Sequence, residues 1–319
     1  MKKVLVIGAG AWGTAIANLI AKNGHRVFLN VNNIKIADEI KQKNQNEKFL
    51  PGVILDKKII AISSYEKDVD LVFVVTPSIN SAEVFHKISS AKFKKNCGFV
   101  ICSKGVEPKS LLLLSDAFEK ITGNKNYAVF SGPNFAHEVA NEAPSITTIA
   151  TKNKKLAQSV IDVLNNDYFQ AGYFNDPRTA EICGVVKNII AIGCGIVDEL
   201  GLGINAKAAL VMKGISEIRL LCKKLRACDD VATAAGFGDI FLTCSSGKSR
   251  NNSLGRLIAQ GKPAEKNKTY EGILAAKAVS AMSQKLKLRL DLCEEINEIL
   301  THKFPQKEIR KKIVKAILK

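Results

Sequence analysis

The chain has 319 residues, 46% of them hydrophobic and 24% charged, enough for two domains with substantial cores and without a low-complexity tract. Its formal net charge of +17 invites a nucleic-acid reading. However, the lysines are scattered over the whole length and aromatics make up only 6%, so no basic run is interleaved with stacking residues and nucleic acid is not an expected partner. Eight cysteines with no C-x-x-C spacing, and only four histidines, give no zinc-site pattern, so no metal is expected. The apolar run after Met1 is too short for a signal peptide, and no segment is read as reaching the roughly 18 apolar residues of a membrane span. A reduced, cytoplasmic protein without a membrane span is expected. The dense basic tail Lys307–Lys319 reads as an amphipathic helix with a solvated face.

In chain order, Val4-Leu-Val-Ile7 is a short β-branched run that predicts a buried parallel strand. Gly8-Ala-Gly-Ala-Trp-Gly13 follows it and opens a helix that runs from Thr14 to Asn23 and stops at Gly24. Strand, G-x-G-x-x-G and helix stand in the order that a dinucleotide-binding turn requires. Gly8 permits the turn, Gly10 lets a pyrophosphate approach the backbone, and Gly13 allows close helix–strand packing. The helix N-terminus supplies N–H donors to phosphate. The second strand, Arg26–Asn32, ends where NAD enzymes carry an acid on the ribose and NADP enzymes often carry arginine. Here stand Asn30, Asn32 and Asn33, so the cofactor preference stays open.

Three further strands, 70–75, 98–102 and 127–130, end at Thr76-Pro77, Ser103-Lys-Gly105 and Ser131-Gly-Pro133. Ligands of open α/β sheets bind beyond the carboxyl ends of the strands, which places Lys104 and Gly132 with the glycine turn along one edge. Residues 1–175 are thus expected to form a Rossmann-like doubly wound α/β domain.

Asp176-Pro177 reads as a helix start, and the domain boundary is placed just before it. Residues 176–319 are expected to be all-helical. The predicted helices are Pro177–Glu199, Ala206–Leu225 after a cap at Asn205, one around Asp229–Cys244, Gly272–Gln284, and two near the C-terminus. The first is apolar almost all round, yet Lys187 sits in its middle. Gly184, Lys187, Asn188, Ala191, Gly195 and Asp198 share one face, and small residues there are expected to leave room for substrate. A lysine held in an apolar helix is desolvated, which lowers its pKa toward the range of a proton donor. The alternative is a lysine that snorkels to solvent. An α/β domain followed by a helical one implies a cleft, with the Lys187 helix as its far wall.

Asp239, in Ala235-Gly-Phe-Gly-Asp239, is placed to pair with such a lysine or to cap a helix. Ser245–Asn251 reads as a compact polar loop suited to a phosphate monoester, with Arg250 giving charge-assisted hydrogen bonds, or equally as an ordinary surface loop.

Together these motifs, with Ser103-Lys-Gly-Val-Glu107, Ser131-Gly-Pro-Asn-Phe-Ala136, Val186–Gly193, Gly203-Ile-Asn-Ala206, Leu242-Thr-Cys244, Ser249-Arg-Asn251 and Glu271-Gly272, resemble bacterial NAD(P)-dependent glycerol-3-phosphate dehydrogenases over the full length. The resemblance implies reduction of dihydroxyacetone phosphate to sn-glycerol 3-phosphate for phospholipid synthesis, NAD(H) or NADP(H) as cofactor, and a homodimer. It implies Lys187 as proton donor and acceptor. It implies substrate contacts at Lys104, Gly132, Asn134, Lys187, Asp239, Ser249, Arg250 and Asn251. Cofactor contacts are implied at Ala11, Trp12, Asn32, Lys104, Ala136, Arg250, Thr269 and Glu271, beside the turn glycines Gly8, Gly10 and Gly13. Asn188, Asn205 and Thr243 are implied as supporting residues. Two positions depart from the family pattern: Asn134 stands where many members have Thr or Ser, and Asn32 falls about where relatives carry Arg or His. A 3-hydroxyacid dehydrogenase of similar build, or a non-catalytic NAD(P)-sensing regulator, would account for part of the same pattern.

Overall fold

A computed structural model describes residues 1–245, 247, 249–265 and 270–318. They form two compact units: Met1–Ser103 with Leu114–Pro177, and Lys104–Leu113 with Arg178 onward.

The first unit is built on one eight-stranded sheet. Its strands are β1 (Lys3–Ile7), β2 (Arg26–Asn30), β3 (Ile59–Ile62), β4 (Leu71–Val74), β5 (Gly98–Ile101), β6 (Tyr127–Ser131), β7 (Ser145–Ala150) and β8 (Phe169–Phe174). They lie in the order β3-β2-β1-β4-β5-β6-β7-β8. All pairs are parallel except β6 with β7. The helices are α1 (Ala11–Lys22), α2 (Ile34–Lys43), α3 (Ser81–Ser90), α4 (Leu114–Thr122), α5 (Ala136–Ala140) and α6 (Lys154–Leu164). Central strands β4 and β5 are buried at every position, as unbroken Leu/Val/Ile/Phe runs require when both sheet faces are covered. Val4, Val6, Ile16, Leu29, Phe73 and Phe130 belong to the resulting core. After β3 the chain returns to the other side of β1, so the order reverses between β1 and β4. Ligands of such sheets bind at this reversal, and Gly8 and Val75–Pro77 leave it.

The sheet is larger than the sequence reading, which recognised five strands. β3 is four residues long at one edge with alternate positions buried, and β7 and β8 mix Thr, Gln and Gly into their runs. The antiparallel β6–β7 step is the other feature with no sequence signal.

The second unit is helical: α7 (Pro177–Glu199), α8 (Ile204–Lys224), α9 (Asp239–Ser245), α10 (Arg250–Ala259), α11 (Glu271–Leu286), α12 (Asp291–Thr301) and α13 (Gln306–Leu318). α7 runs through the middle of its core, with Val186, Ile189, Ile190 and Ile192 fully covered by residues such as Leu210, Ile218, Leu292 and Ile296. Here one expectation is corrected. α7 is long and apolar enough to cross a membrane, with a mean hydropathy of 1.8 over its most apolar window, but that window is wholly buried within the protein. Three boundaries also move. α8 starts at Ile204 with Gly203, at φ 88°, as its cap, so Asn205 lies in the first turn. No helix covers Asp229–Thr233; α9 starts at Asp239. The expected polar loop Ser245–Asn251 begins with the last residue of α9 and ends in α10, which Ser249 caps and Arg250 and Asn251 open.

Lys104–Leu113 joins the helical unit rather than the 1–175 segment because Val106 and Leu113 pack into its core and bridge each other. The Glu107 carboxylate accepts from Lys109 N–H (3.2 Å) and Ser110 N–H (2.6 Å), which closes the turn.

α12 has no capping side chain of its own. Glu217 on α8, 1% exposed, reaches its first turn and accepts from Leu292 N–H (2.7 Å) and Cys293 N–H (3.0 Å). Burial pushes this carboxyl up, and the two N–H groups pull it back. Glu217→Ala would strand two buried donors, a loss of about 1–3 kcal/mol. Urea unfolding should show a lower midpoint with an unchanged slope.

Candidate active site

The first unit carries the glycine turn. Gly8 has φ 111°, and a Cβ there would meet Val75 O at 2.7 Å. A Cβ on Gly13 would lie 1.9 Å from Gly8 O, so the turn closes only around glycine. Gly10 differs: nothing lies within 4 Å of the position its Cβ would take. It opens onto a cavity of about 900 Å³, also lined by Gly8, Ala9, Asn32 and Thr76. Gly10 caps α1 without a side-chain hydrogen bond, and Ala11 is the first helical residue. A helix start whose N–H groups no side chain occupies, facing open space over a glycine, fits a dinucleotide pyrophosphate.

Trp12 packs its ring on Phe130, with centroids 5.5 Å apart, so the indole serves the core and the backbone N–H is what the turn offers a ligand. Ala136 likewise begins a helix, α5. Asn32 is exposed on the cavity wall, whereas Asn33 is spent on capping α2, its Oδ1 accepting from Lys35 N–H at 3.0 Å. Asn134 donates from Nδ2 to Ile146 O (2.9 Å), and its buried Oδ1 has no partner. Gly132 sits beside it, with Asn134 Oδ1 3.0 Å from its would-be Cβ. Lys48 and Phe49, also on the cavity wall, were missed by sequence reasoning; they lie in a polar stretch with no motif.

The second unit carries the charges. Lys187, 6% exposed in mid-α7, does not snorkel. Its Nζ lies 2.5 Å from Asp239 Oδ1 and donates to Thr243 Oγ1 at 3.0 Å, and that hydroxyl donates to Asp239 O at 2.6 Å. The other carboxylate oxygen of Asp239 lies 2.5 Å from Lys104 Nζ. One buried carboxylate thus serves two ammonium groups. Burial lowers the Lys187 pKa to about 8; the Asp239 charge opposes that fall and the Lys104 charge adds to it. Burial alone would raise the Asp239 carboxyl, but Lys104 and Lys187 together hold it below the usual carboxylate range.

Asp239 is delivered by the turn Ala234–Gly238, where the Thr233 hydroxyl accepts from Gly236 N–H at 3.0 Å. Thr243 lies one helical turn further along α9, which is why both reach the same lysine.

Around this cluster, Asn188 donates to Gly184 O (3.1 Å) and accepts from Asn251 Nδ2 (2.9 Å), while Asn251 Oδ1 accepts from Gly272 N–H (3.1 Å). This amide chain ties α7, α10 and the start of α11. Ser249 caps α10, its hydroxyl accepting from Asn252 N–H at 3.3 Å. Arg250, the first residue of α10, is exposed. Glu271, in the first turn of α11, has its pKa raised by burial and lowered by the charges of Arg250, Lys187 and Lys104. Asn205 is exposed at the start of α8. Thr269 lies outside the described residues.

The small-residue face of α7 is not left for a ligand along its length. A Cβ on Gly195 would fall 2.0 Å from Asn252 O, and one on Gly255 would fall 2.0 Å from Ile192 O, so α7 and α10 cross backbone to backbone. Asp198 holds Lys207 (2.9 Å) and Arg256 (2.7 Å). Gly184 faces the cluster, across the stem of Lys104 at 3.6 Å. Gly195→Val should force the two helices apart and lower the melting temperature by several degrees, as overpacking of about 1–3 kcal/mol does.

A turn that fits a dinucleotide and a lysine tuned toward neutrality describe an oxidoreductase more closely than a regulator. Two family models match: the N-terminus of NAD-dependent glycerol-3-phosphate dehydrogenase over residues 3–157, and the C-terminus of the same enzyme over residues 176–311. The chain belongs to the NAD-dependent glycerol-3-phosphate dehydrogenase family. It is 37% identical over 307 residues to a Caulobacter vibrioides protein named glycerol-3-phosphate dehydrogenase [NAD(P)+], covering 94% of this chain and 92% of that one. It is 36% identical over 312 residues to a Bacillus velezensis protein of the same name, covering 94% and 90%. Among solved structures, a glycerol-3-phosphate dehydrogenase from Coxiella burnetii superposes with a TM-score of 0.93 at 28% identity, covering 100% of this chain and 99% of that one. As a member of this family, the chain is an NAD(P)-dependent oxidoreductase.

Proposed function

We propose that this chain catalyses the reversible, NAD(P)H-dependent reduction of dihydroxyacetone phosphate to sn-glycerol 3-phosphate, in the cytoplasm and as a homodimer, for glycerophospholipid synthesis. The observation that carries this reading is the Lys187–Asp239–Lys104 cluster: a buried ammonium with a pKa of about 8 is suited to give a proton to an oxygen and take it back near neutrality.

When bound, the nicotinamide supplies the hydride that reduces C2. The chain's residues do the rest. Gly8, Gly10 and Gly13, with the N–H groups of Ala11 and Trp12, would hold the pyrophosphate at the start of α1. The family resemblance assigns further cofactor contacts to Asn32, Lys104, Ala136, Arg250 and Glu271. Arg250 and the start of α10, with Ser249 and Asn251, bind the substrate phosphate as a charge-assisted site at a helix N-terminus. The Asn134 Oδ1 acceptor and the backbone at Gly132 take substrate hydroxyl groups. Lys187 donates the proton to the C2 oxygen, and Lys104 polarises the same carbonyl. Asp239 aims both ammonium groups and favours the charged form of Lys187; Thr243 and Asn188 fix the rotamer and helix position of Lys187.

The test is loss of nicotinamide absorbance with dihydroxyacetone phosphate, compared with a β-keto acid and with no substrate. Turnover of the phosphate alone, with a kcat on the order of 1–10³ s⁻¹, is expected. A preference for the β-keto acid selects a 3-hydroxyacid dehydrogenase, and no turnover of either overturns catalysis. Because the end of β2 carries neither an acid nor a guanidinium, NADH and NADPH should both serve. Their kcat/KM values should differ by less than about tenfold, the discrimination of roughly 1.4 kcal/mol.

A further inference from the structure

The stretch after α2 contains a buried amide that none of the roles above uses. Asn46 is 0% exposed. Its Nδ2 donates to Ala9 O at 3.0 Å and to Thr14 Oγ1 at 2.8 Å. The Thr14 hydroxyl itself reaches Ala9 O at 3.4 Å, so one carbonyl of the glycine turn is held from two sides. The Asn46 Oδ1 is buried without a partner, an arrangement that costs stability and that an apolar residue of the same shape would avoid. The backbone oxygen of Asn46 accepts from Phe49 N–H (3.2 Å) and Leu50 N–H (2.8 Å), which shapes the loop that presents Lys48 and Phe49 to the cavity.

We infer that Asn46 is a positioning residue for cofactor binding: by pinning the Ala9 carbonyl, its side chain orients the Ala9–Gly10 peptide. In a planar trans peptide the C=O and the following N–H point in opposite directions. A carbonyl held toward Asn46 therefore turns the Gly10 N–H away from it. Gly10 is the turn residue that opens onto the cavity, with nothing where its Cβ would be. Without the amide, the peptide before Gly10 gains freedom, and a bound pyrophosphate has to order it each time. Binding then weakens, while the proton-transfer cluster, which lies in the other unit, is untouched.

The inference rests on the proposed placement of the cofactor at the glycine turn, and the test separates the two. Dissociation constants for NADH and NADPH are measured by nicotinamide fluorescence on the full chain. The variants are Asn46→Leu, which keeps the branched outline and removes both donors, and Thr14→Val, which removes the hydroxyl alone. Gly10→Val serves as a control for the location. The expected result is a rise in Kd of about tenfold or more for Asn46→Leu and a smaller one for Thr14→Val. At saturating cofactor, kcat and the KM for dihydroxyacetone phosphate should stay within about threefold of the parent. A lower melting temperature with unchanged Kd would overturn the inference, because the amide would then hold only the fold. So would a fall in kcat as large as the rise in Kd, or failure of both variants to fold. If Gly10→Val binds NADH normally, the placement of the cofactor is what fails.

Discussion

Lys187→Ala is expected to lower kcat by about 10²–10⁴, the range that a positioned general acid contributes, with the Kd for NADH unchanged. The pH profile ties this loss to the proton. Reduction needs the charged ammonium, so kcat/KM for dihydroxyacetone phosphate should be flat below and fall above a pKa of about 8. Oxidation of sn-glycerol 3-phosphate needs the neutral amine and should rise through the same value. In Lys187→Ala both limbs should disappear. Stability supplies a second check. The folded-state pKa of Lys187 is lowered, so the unfolded chain holds this proton more tightly and folding is penalised where the amine is charged. Stability from this group should therefore increase as pH rises from about 8 toward the ordinary lysine range. In Lys187→Met the buried ammonium is gone and Asp239 keeps its pairing with Lys104, so the melting temperature at neutral pH should not fall. Near-normal turnover in either variant would remove Lys187 from the chemistry.

Much of this site can be traced to local signals, and what was not follows from their physical limits. The glycine turn announces itself because three glycines at fixed spacing follow an unbroken β-branched run and open a helix, and all of those constraints lie within about a dozen residues. Lys187 stood out because a charge in the middle of a helix that is apolar almost all round is either desolvated or has to snorkel out. Its pairing was half legible: Asp239 was a candidate partner for such a lysine, but nothing local says that the same carboxylate also bridges to Lys104. The small-residue face of α7 was misread for a related reason. Glycines mark close approach, and sequence does not distinguish a ligand from another helix; here the reciprocal Gly195 and Gly255 contacts show that the Gly195 part of that face receives the α10 backbone. Ser245–Asn251 read as a loop because polar residues with a glycine suit loops and first turns equally, and the Ser249 cap is what makes its last residues, Arg250 and Asn251, a helix start. Asn46 had no signal, since an amide in a polar stretch is ordinary until its burial is known.

The second large effect is expected at Asp239. Asp239→Asn keeps the shape and removes the charge that two ammonium groups share. Each lysine then faces the other with no counter-ion between, and the attraction that opposes the desolvation of Lys187 is gone. The sign is fixed: Lys187 must titrate below its present value of about 8, so the alkaline limb of the reductive profile should move to lower pH. At neutral pH the fraction of charged Lys187 falls, and turnover falls with it. Misalignment of Nζ adds to the loss, because the carboxylate and Thr243 together fix the lysine rotamer. A drop in kcat of about 10² or more is expected, of which only the protonation part should be recovered by lowering the pH. Stability should shift in a pH-dependent way as well. The Asp239 carboxyl lies below the usual carboxylate range in the folded protein, so its contribution is present at neutral pH and lost on acidification through that lowered pKa. Acid unfolding of Asp239→Asn, followed by circular dichroism, should therefore start from a less stable protein at neutral pH and depend less steeply on pH than the parent. An unchanged alkaline limb would show that Asp239 does not set the proton affinity of Lys187 and would leave it the role of a helix-start residue only.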